Sequence, residues 1–283
     1  MRFFCISYIS FFFFPLFIFA AEKPSLVELE RRLAAQKVEI ARLEGIAVAE
    51  EARITALERA KQPKLVISDP ATQAFADLPY VVRIRIKDSS GVNFGTGSVI
   101  LSKSGQAVIL TAGHIFKKFD EKSKIEVDIF NSKTGKVETV SGNAMKWDLE
   151  SDVGLLSVPM KRPINPLPIA PLKDAVTVGQ HVMSYGCGGG NPPSPQEHNV
   201  TAINRYLGPD NVECQGVPVQ GRSGGALVDA RNRVVGVVIA ADTRDQRGLY
   251  AGLRPIHDIL IEAGIDPTAL SYAPPPLPKI PKK

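Results

Sequence analysis

The stretch Gln220–Ala226, QGRSGGA, sets one serine among three glycines. Glycine reaches backbone conformations that other residues avoid, and a loop built this way can turn its N–H groups toward an anion. It reads either as an ordinary turn or as the cradle of a nucleophilic serine, and the residues around it have to decide. They are β-like on both sides. From Leu78 onward the chain is a series of short apolar runs divided by glycine, asparagine and proline. YVVRIRIKD (80–88) alternates from Val82 to Ile86, the period of a strand with one buried face. GTGSVILS, QAVILTAGH, IEVDIF, VGLLSV, VTVGQHVMSYG, NVTAINRYLG and RVVGVVIAA continue the series. Many short strands at regular spacing, with almost no helical period, predict an all-β sandwich or pair of barrels. The proline-rich KRPINPLPIAPLK (161–173) falls mid-series, where a connection between two β halves belongs. RPIHDILIEAG (254–264) has helical spacing, an early Pro255 and a closing Gly264, and predicts one C-terminal helix.

Two further polar residues stand out against apolar surroundings. AVILTAGHIF (107–116) runs a buried strand into His114, and ESDVGLLSV (150–158) puts Asp152 directly before another. Asp148 is a rival carboxylate, but the apolar run follows Asp152 at once. His114, Asp152 and Ser223 are the side-chain types of acyl transfer. A serine hydroxyl is a weak nucleophile until an imidazole takes its proton. A carboxylate holds that imidazole in the right tautomer and stabilises its cation. The N–H groups of Gly221 and Ser223 can then face the oxyanion of a tetrahedral intermediate.

These motifs resemble those of the chymotrypsin/trypsin-like serine peptidases, most closely bacterial HtrA-like and glutamyl-endopeptidase-like members. TAGH is similar to the family's histidine motif, SDVGLL to its aspartate motif and GRSGGAL to its nucleophile motif; NFGTGSVI and GLYAGLRPI resemble the strands before the histidine and beside the specificity pocket. The resemblance spans about residues 78–264. It implies two six-stranded β-barrels with a C-terminal helix, His114 as general base, Asp152 as its orienter, Ser223 as nucleophile, and Gly221 and Ser223 as oxyanion donors. No cofactor and no metal is implied. Peptides or proteins are the implied substrates. The family's pocket floor falls on Val217, its wall on Ile239, Ala240 and Ala241, and Gly248 leaves space opposite. That uncharged set implies cleavage after small or medium apolar residues, since an unpaired buried cation is costly. Glutamyl-type members need a histidine near the pocket, and none falls in this segment. Arg222 departs from the animal digestive members, whose aspartate here pairs with a newly cut N-terminus; no such activation is expected. Because Arg222 sits beside the oxyanion loop, a catalytically inactive binding protein on the same fold stays open as a second reading. No PDZ-like domain is expected after the β region.

The ends differ from the middle. Residues 2–21, RFFCISYISFFFFPLFIFAA, have the layout of a secretory signal, with an uncleaved membrane tether as the alternative. Residues 25–61 carry a heptad: Leu26, Leu29, Leu33, Ile40, Leu43, Ala47, Ile54 and Leu57 occupy a and d positions, interrupted by Gln36 and Glu50. That pattern predicts a coiled coil, hence a homo-oligomer. The resulting division is 1–21 signal, 22–62 coiled coil, 63–77 linker, 78–265 peptidase domain and 266–283 proline-rich disordered tail. Export places the protein in the periplasm or medium. Of three cysteines, Cys5 lies in the signal. The pair left, Cys187 and Cys214, suggests one disulfide in an exported chain, with two buried free thiols as the alternative. The net charge of +5 comes from scattered Lys and Arg. No basic-aromatic pattern points to nucleic acid.

Overall fold

The computed structural model describes residues 77–89 and 91–271, together with Ser25, Arg32, Leu33, Gln36 and Lys37. The expected signal segment, nearly all of the heptad region and linker, and the tail beyond Ser271 lie outside the described residues.

Strands β1 (Val81–Asp88), β2 (Gly91–Lys103), β3 (Gln106–Thr111), β4 (Lys124–Phe130), β5 (Val137–Asp148) and β6 (Val153–Pro159) close into an antiparallel barrel in the order β1-β2-β3-β6-β5-β4. Strands β7 (His181–Gly186), β8 (Ser194–Ile203), β9 (Asn211–Gln215), β10 (Ala226–Val228), β11 (Val234–Asp242) and β12 (Arg247–Ala251) close a second with the equivalent order β7-β8-β9-β12-β11-β10. Closure leaves no free sheet edge in either barrel. The expected pair of six-stranded barrels is the observed architecture.

Alternation does in β1 what the sequence implies. Val82, Ile84 and Ile86 are buried in the first barrel, each such aliphatic side chain contributing roughly 1.5–3 kcal/mol of burial free energy. Arg83 and Arg85 point to the opposite face and converge on Asp128 of β4. Burial pushes the Asp128 carboxyl up, but donors from Arg85, Thr139 and Arg83 outweigh it and hold the group below the usual carboxylate range.

Residues 161–173 form the expected connection between barrels. Leu167, Ile169 and Ala170 are buried, and their amides donate to Val99, Leu270 and Val234. Helix α1 (Leu253–Glu262) buries Leu253, Ile256, Ile259 and Leu260. His257 of this helix is buried, and its Nε2–H donates to the Ala170 carbonyl at 2.9 Å, tying α1 to the connection. Residues 266–271, expected in the tail, pack on the domain. Pro267–Leu270 form a 3₁₀ turn capped by the Asp266 side chain; Leu270 is buried and Ser271 Oγ donates to the Ile169 carbonyl. A single buried leucine is too short a signal to read from a proline-rich sequence.

The expected disulfide is absent. Cys187 and Cys214 are both free and buried. Cys187 follows β7 and Cys214 lies in β9, and barrel closure inserts β8 between these strands. Burial pushes each thiol up to about 12.

Candidate active site

The site lies on loops that leave the two barrels. His114 occupies a single 3₁₀ turn, Gly113–Phe116, directly after β3. Asp152 sits just before β6 with φ at +56°, a left-handed conformation that Asp and Asn tolerate better than most residues. In that position its carboxylate takes two donors from one residue. The His114 backbone N–H donates to Oδ1 at 2.6 Å, and Nδ1 lies 2.8 Å from Oδ2. The carboxylate is an acceptor here, so Nδ1 carries the proton and Nε2 is left with a free lone pair. Asp148 faces elsewhere. It caps its own turn, accepting from Ser151 Oγ at 2.6 Å and from the Glu150 and Ser151 amides, and the Ser151 hydroxyl in particular holds its carboxyl low.

Ser223 sits in the loop between β9 and β10. Gly221 has φ +91° and Gly224 φ +85°, and both positions are close-packed. A Cβ on Gly221 would press on the Cys187 carbonyl, and one on Gly224 would overlap Thr96 and Thr111. Glycine is therefore required twice over, by backbone angle and by space. Among the described residues, the Gly221 and Ser223 amides donate to no acceptor. Their neighbours are engaged: Arg222 N–H to Val219, Gly224 N–H to Val238 and Gly225 N–H to Arg222. The Ser223 carbonyl and Ile115, which follows His114, both flank Gly95 of β2, so the serine loop and histidine turn meet there. Ser223 Oγ and His114 make no mutual hydrogen bond in this structure.

Thr96, which sequence reasoning passed over, organises this junction. It is fully buried in β2. Its N–H donates to the Ser223 carbonyl (2.7 Å), its hydroxyl donates to the Gly221 carbonyl (2.7 Å), and the hydroxyl oxygen accepts the Cys187 N–H (2.8 Å). One threonine of the first barrel thus holds three points of the second. Only its place between two glycines in GTGSV hinted at a special position.

Arg222 does not face solvent. Its side chain is 1% exposed and runs back between β7 and β8.

The candidate specificity residues divide. Val217 lines a cleft of about 590 Å³ with Gly216, Gln215, His198 and Glu197 among its walls. Ala241 pairs with Gly248 across β11 and β12, Ala240 is exposed and Ile239 half-buried. The space at Gly248 is not open as expected. A Cβ there would lie 3.0 Å from the Pro218 ring and 3.1 Å from Tyr250. His198 is buried in β8 against Gly216, with Nδ1 2.7 Å from the Gln215 carbonyl and Nε2 2.9 Å from Ser184 Oγ. A histidine does therefore line the cleft with Val217, contributed by β8 rather than by the segment that carries Val217.

Two six-stranded barrels with a histidine–aspartate pair on one and a glycine-rich serine loop on the other define the trypsin-like fold of serine peptidases. The family model for the trypsin-like peptidase domain matches residues 95–237, a span holding His114, Asp152 and Ser223, and the chain belongs to that family as a serine-type endopeptidase. Solved structures share the fold. The active form of the Rv3671c protease from M. tuberculosis superposes with a TM-score of 0.56 at 23% identity, covering 76% of this chain and 89% of that one. A serine endoprotease from Yersinia pestis gives 0.54 at 18% identity, over 69% and 65%. The HtrA-type protease AlgWS227A, solved with a tripeptide, gives 0.55 at 20%, over 66% and 62%. No curated protein sequence matches the chain.

Proposed function

We propose that this endopeptidase works through a triad of His114, Asp152 and Ser223 and an acyl-enzyme. His114 Nε2 takes the Ser223 Oγ proton as the oxygen attacks the scissile carbonyl. The same proton then passes to the leaving amine, and water, activated by His114, hydrolyses the ester. Asp152 holds Nδ1–H and stabilises the imidazolium. The Gly221 and Ser223 N–H groups receive the oxyanion. The observation carrying this reading is the doubly bonded Asp152–His114 pair facing a loop with two unengaged amides. With Arg222 buried, its position no longer supports an inactive scaffold.

Substrate preference is for a small or medium apolar residue before the cut. Val217, Ala240 and Ala241 bring no charge, and Pro218 packed at Gly248 shortens the space available. The enzyme acts outside the cytoplasm, exported by residues 1–21 or tethered by them, and assembles through residues 25–61. Its substrates are proteins or peptides.

A serine-reactive fluorophosphonate tests the central claim. Labelling of the full-length protein that disappears in Ser223→Ala, with turnover lost in His114→Ala, is the expected result. A folded wild-type protein that no condition renders reactive, or a His114→Ala variant within tenfold of wild type, overturns it. A peptide library read by mass spectrometry tests the preference: dominance of arginine, lysine or glutamate before the cut refutes it.

A further inference from the structure

In sequence, Arg222 lies between the two residues whose amides stand unengaged, and the partners of its buried guanidinium are unusual. Nη2 donates to the Ser184 carbonyl (3.0 Å), Ser184 Oγ (3.0 Å) and the Ser194 carbonyl (3.2 Å). Nη1 donates to the Gly186 carbonyl (3.2 Å), the Ser194 carbonyl (3.2 Å) and Ser194 Oγ (3.1 Å). No carboxylate pairs with it among the described residues, and Nε has no partner. A buried cation without a counter-charge is expensive, and here backbone carbonyls at the ends of β7 and β8 do the compensating. Glycine lines the passage: a Cβ on Gly186 would lie 3.1 Å from Arg222 Cβ and Cγ and 3.2 Å from Cζ.

The anchorage is directional. From the first barrel, Thr96 holds the Gly221 carbonyl and Arg83 holds the Gly190 carbonyl; within the loop layer, the Gly189 N–H donates to the Gln220 carbonyl. From the second barrel, Arg222 grips β7 and β8. A rotation of the Gln220–Gly221 peptide that turned the Gly221 N–H away would lose the Gly189 bond to the Gln220 carbonyl, and a rotation of the next peptide would lose the Thr96 bond and pull on a planar fork held at several acceptors. The network also reaches the pocket wall. His198 Nδ1 must donate to the Gln215 carbonyl, so Nε2 accepts from Ser184 Oγ–H, which in turn accepts from Arg222.

We infer that Arg222 is a positioning residue that keeps the Gly221 and Ser223 amides aimed at the oxyanion in the resting enzyme and couples that loop, through Ser184 and His198, to the end of β9 just before Val217. The inference rests on the triad reading above. It gives the serine loop its rigidity through carbonyl acceptors inside the domain, with no chain terminus and no acidic partner.

The test uses the full-length protein and three variants, Arg222→Gln, Arg222→Lys and Gly186→Ala; the last keeps the guanidinium and displaces it. Each is assayed on one peptide substrate and titrated with a peptide boronic acid, which binds Ser223 tetrahedrally and needs the same amides. In Arg222→Gln and Gly186→Ala, kcat falls about tenfold or more while KM moves less than about threefold, and boronate affinity weakens by the factor lost from kcat. Arg222→Lys recovers part of the loss. Folded variants whose kcat and boronate affinity stay within threefold of wild type overturn the inference, as does a rise in KM alone. If Arg222→Gln and Gly186→Ala both fail to fold, Arg222 is a core-building residue and the inference falls. A reactive wild type with unaffected variants removes this inference alone, whereas a wild type that fails to react with the fluorophosphonate removes the triad reading and this one with it.

Discussion

Asp152 pairs a left-handed backbone with, in the proposed triad, a chemical role. Its left-handed φ is tolerable for aspartate and asparagine, so Asp152→Asn should fold with a thermal midpoint near that of wild type. The amide cannot accept the Nδ1–H in the same way, and kcat should fall by about 10⁴-fold, as in other triads of this kind; a loss under tenfold in kcat speaks against the assigned role. Thr96 carries a different load. Thr96→Val keeps shape but strands the Gly221 carbonyl and the Cys187 N–H in a buried layer, a cost of about 1–3 kcal/mol. Chemical denaturation should register it together with a lower kcat. His198 is the pH-sensitive residue. Burial holds its imidazole below the usual range, opposed by the Gln215 carbonyl and aided by the charges of Arg222 and His181; the Tyr250 ring packs 6.2 Å away. Below the ordinary histidine pKa of about 6.5 the unfolded chain therefore binds a proton that the folded chain refuses, so stability rises with pH there and is lost on acidification. Thermal midpoints measured between pH 7 and 5 should fall less in His198→Gln than in wild type. Parallel curves would mean that other groups set the acid sensitivity.

Among the elements, β1 was legible in full because its period of two is local and its burial follows from it. The connection at 161–173 and the helix near 254–264 were legible for the same reason: proline content and a 3.6-residue period are written into adjacent residues. What the sequence concealed in α1 was His257, whose neighbour Ala170 is contributed by the connection rather than the helix. The 3₁₀ turn Pro267–Leu270 has a local cap in Asp266, but its docking through Leu270 and the Ser271 bond to Ile169 is written nowhere in the adjacent residues. Leu270→Ala should cost about 2–4 kcal/mol, the range for emptying a buried leucine site, measurable as a shift in urea midpoint at constant slope. A shift under 0.5 kcal/mol would show that the turn is dispensable to the domain.

At the scale of the molecule, two barrels of equivalent strand order present their loops to a common junction at which Thr96, Arg83, Ser223 and Ile115 meet. The cysteines belong to this scale as well. Both lie in the closed second barrel, at fully buried positions. In native protein, Cys187 and Cys214 should resist iodoacetamide and be alkylated only after denaturation, each gaining one carbamidomethyl group without prior reduction. A mass lower by two protons across that pair, restored by reductant, would show the bridge after all.

The sequence by itself determined the strand-rich architecture, the order of His114, Asp152 and Ser223, and the glycines that their loops need, because each of these is a property of neighbouring residues. Period, turn chemistry and short motifs survive without any knowledge of what lies across the fold. Only the tertiary structure decided that Asp152 rather than Asp148 meets His114, and that Thr96 holds the serine loop. It alone showed that Arg222 runs inward to carbonyls, that His198 stands behind Gly216, that Pro218 fills the space at Gly248, and that Cys187 and Cys214 stay apart. Each of those outcomes depends on which distant strands barrel closure brings together. A closed barrel fixes that pairing through the register of six strands at once, and no window of local sequence contains it.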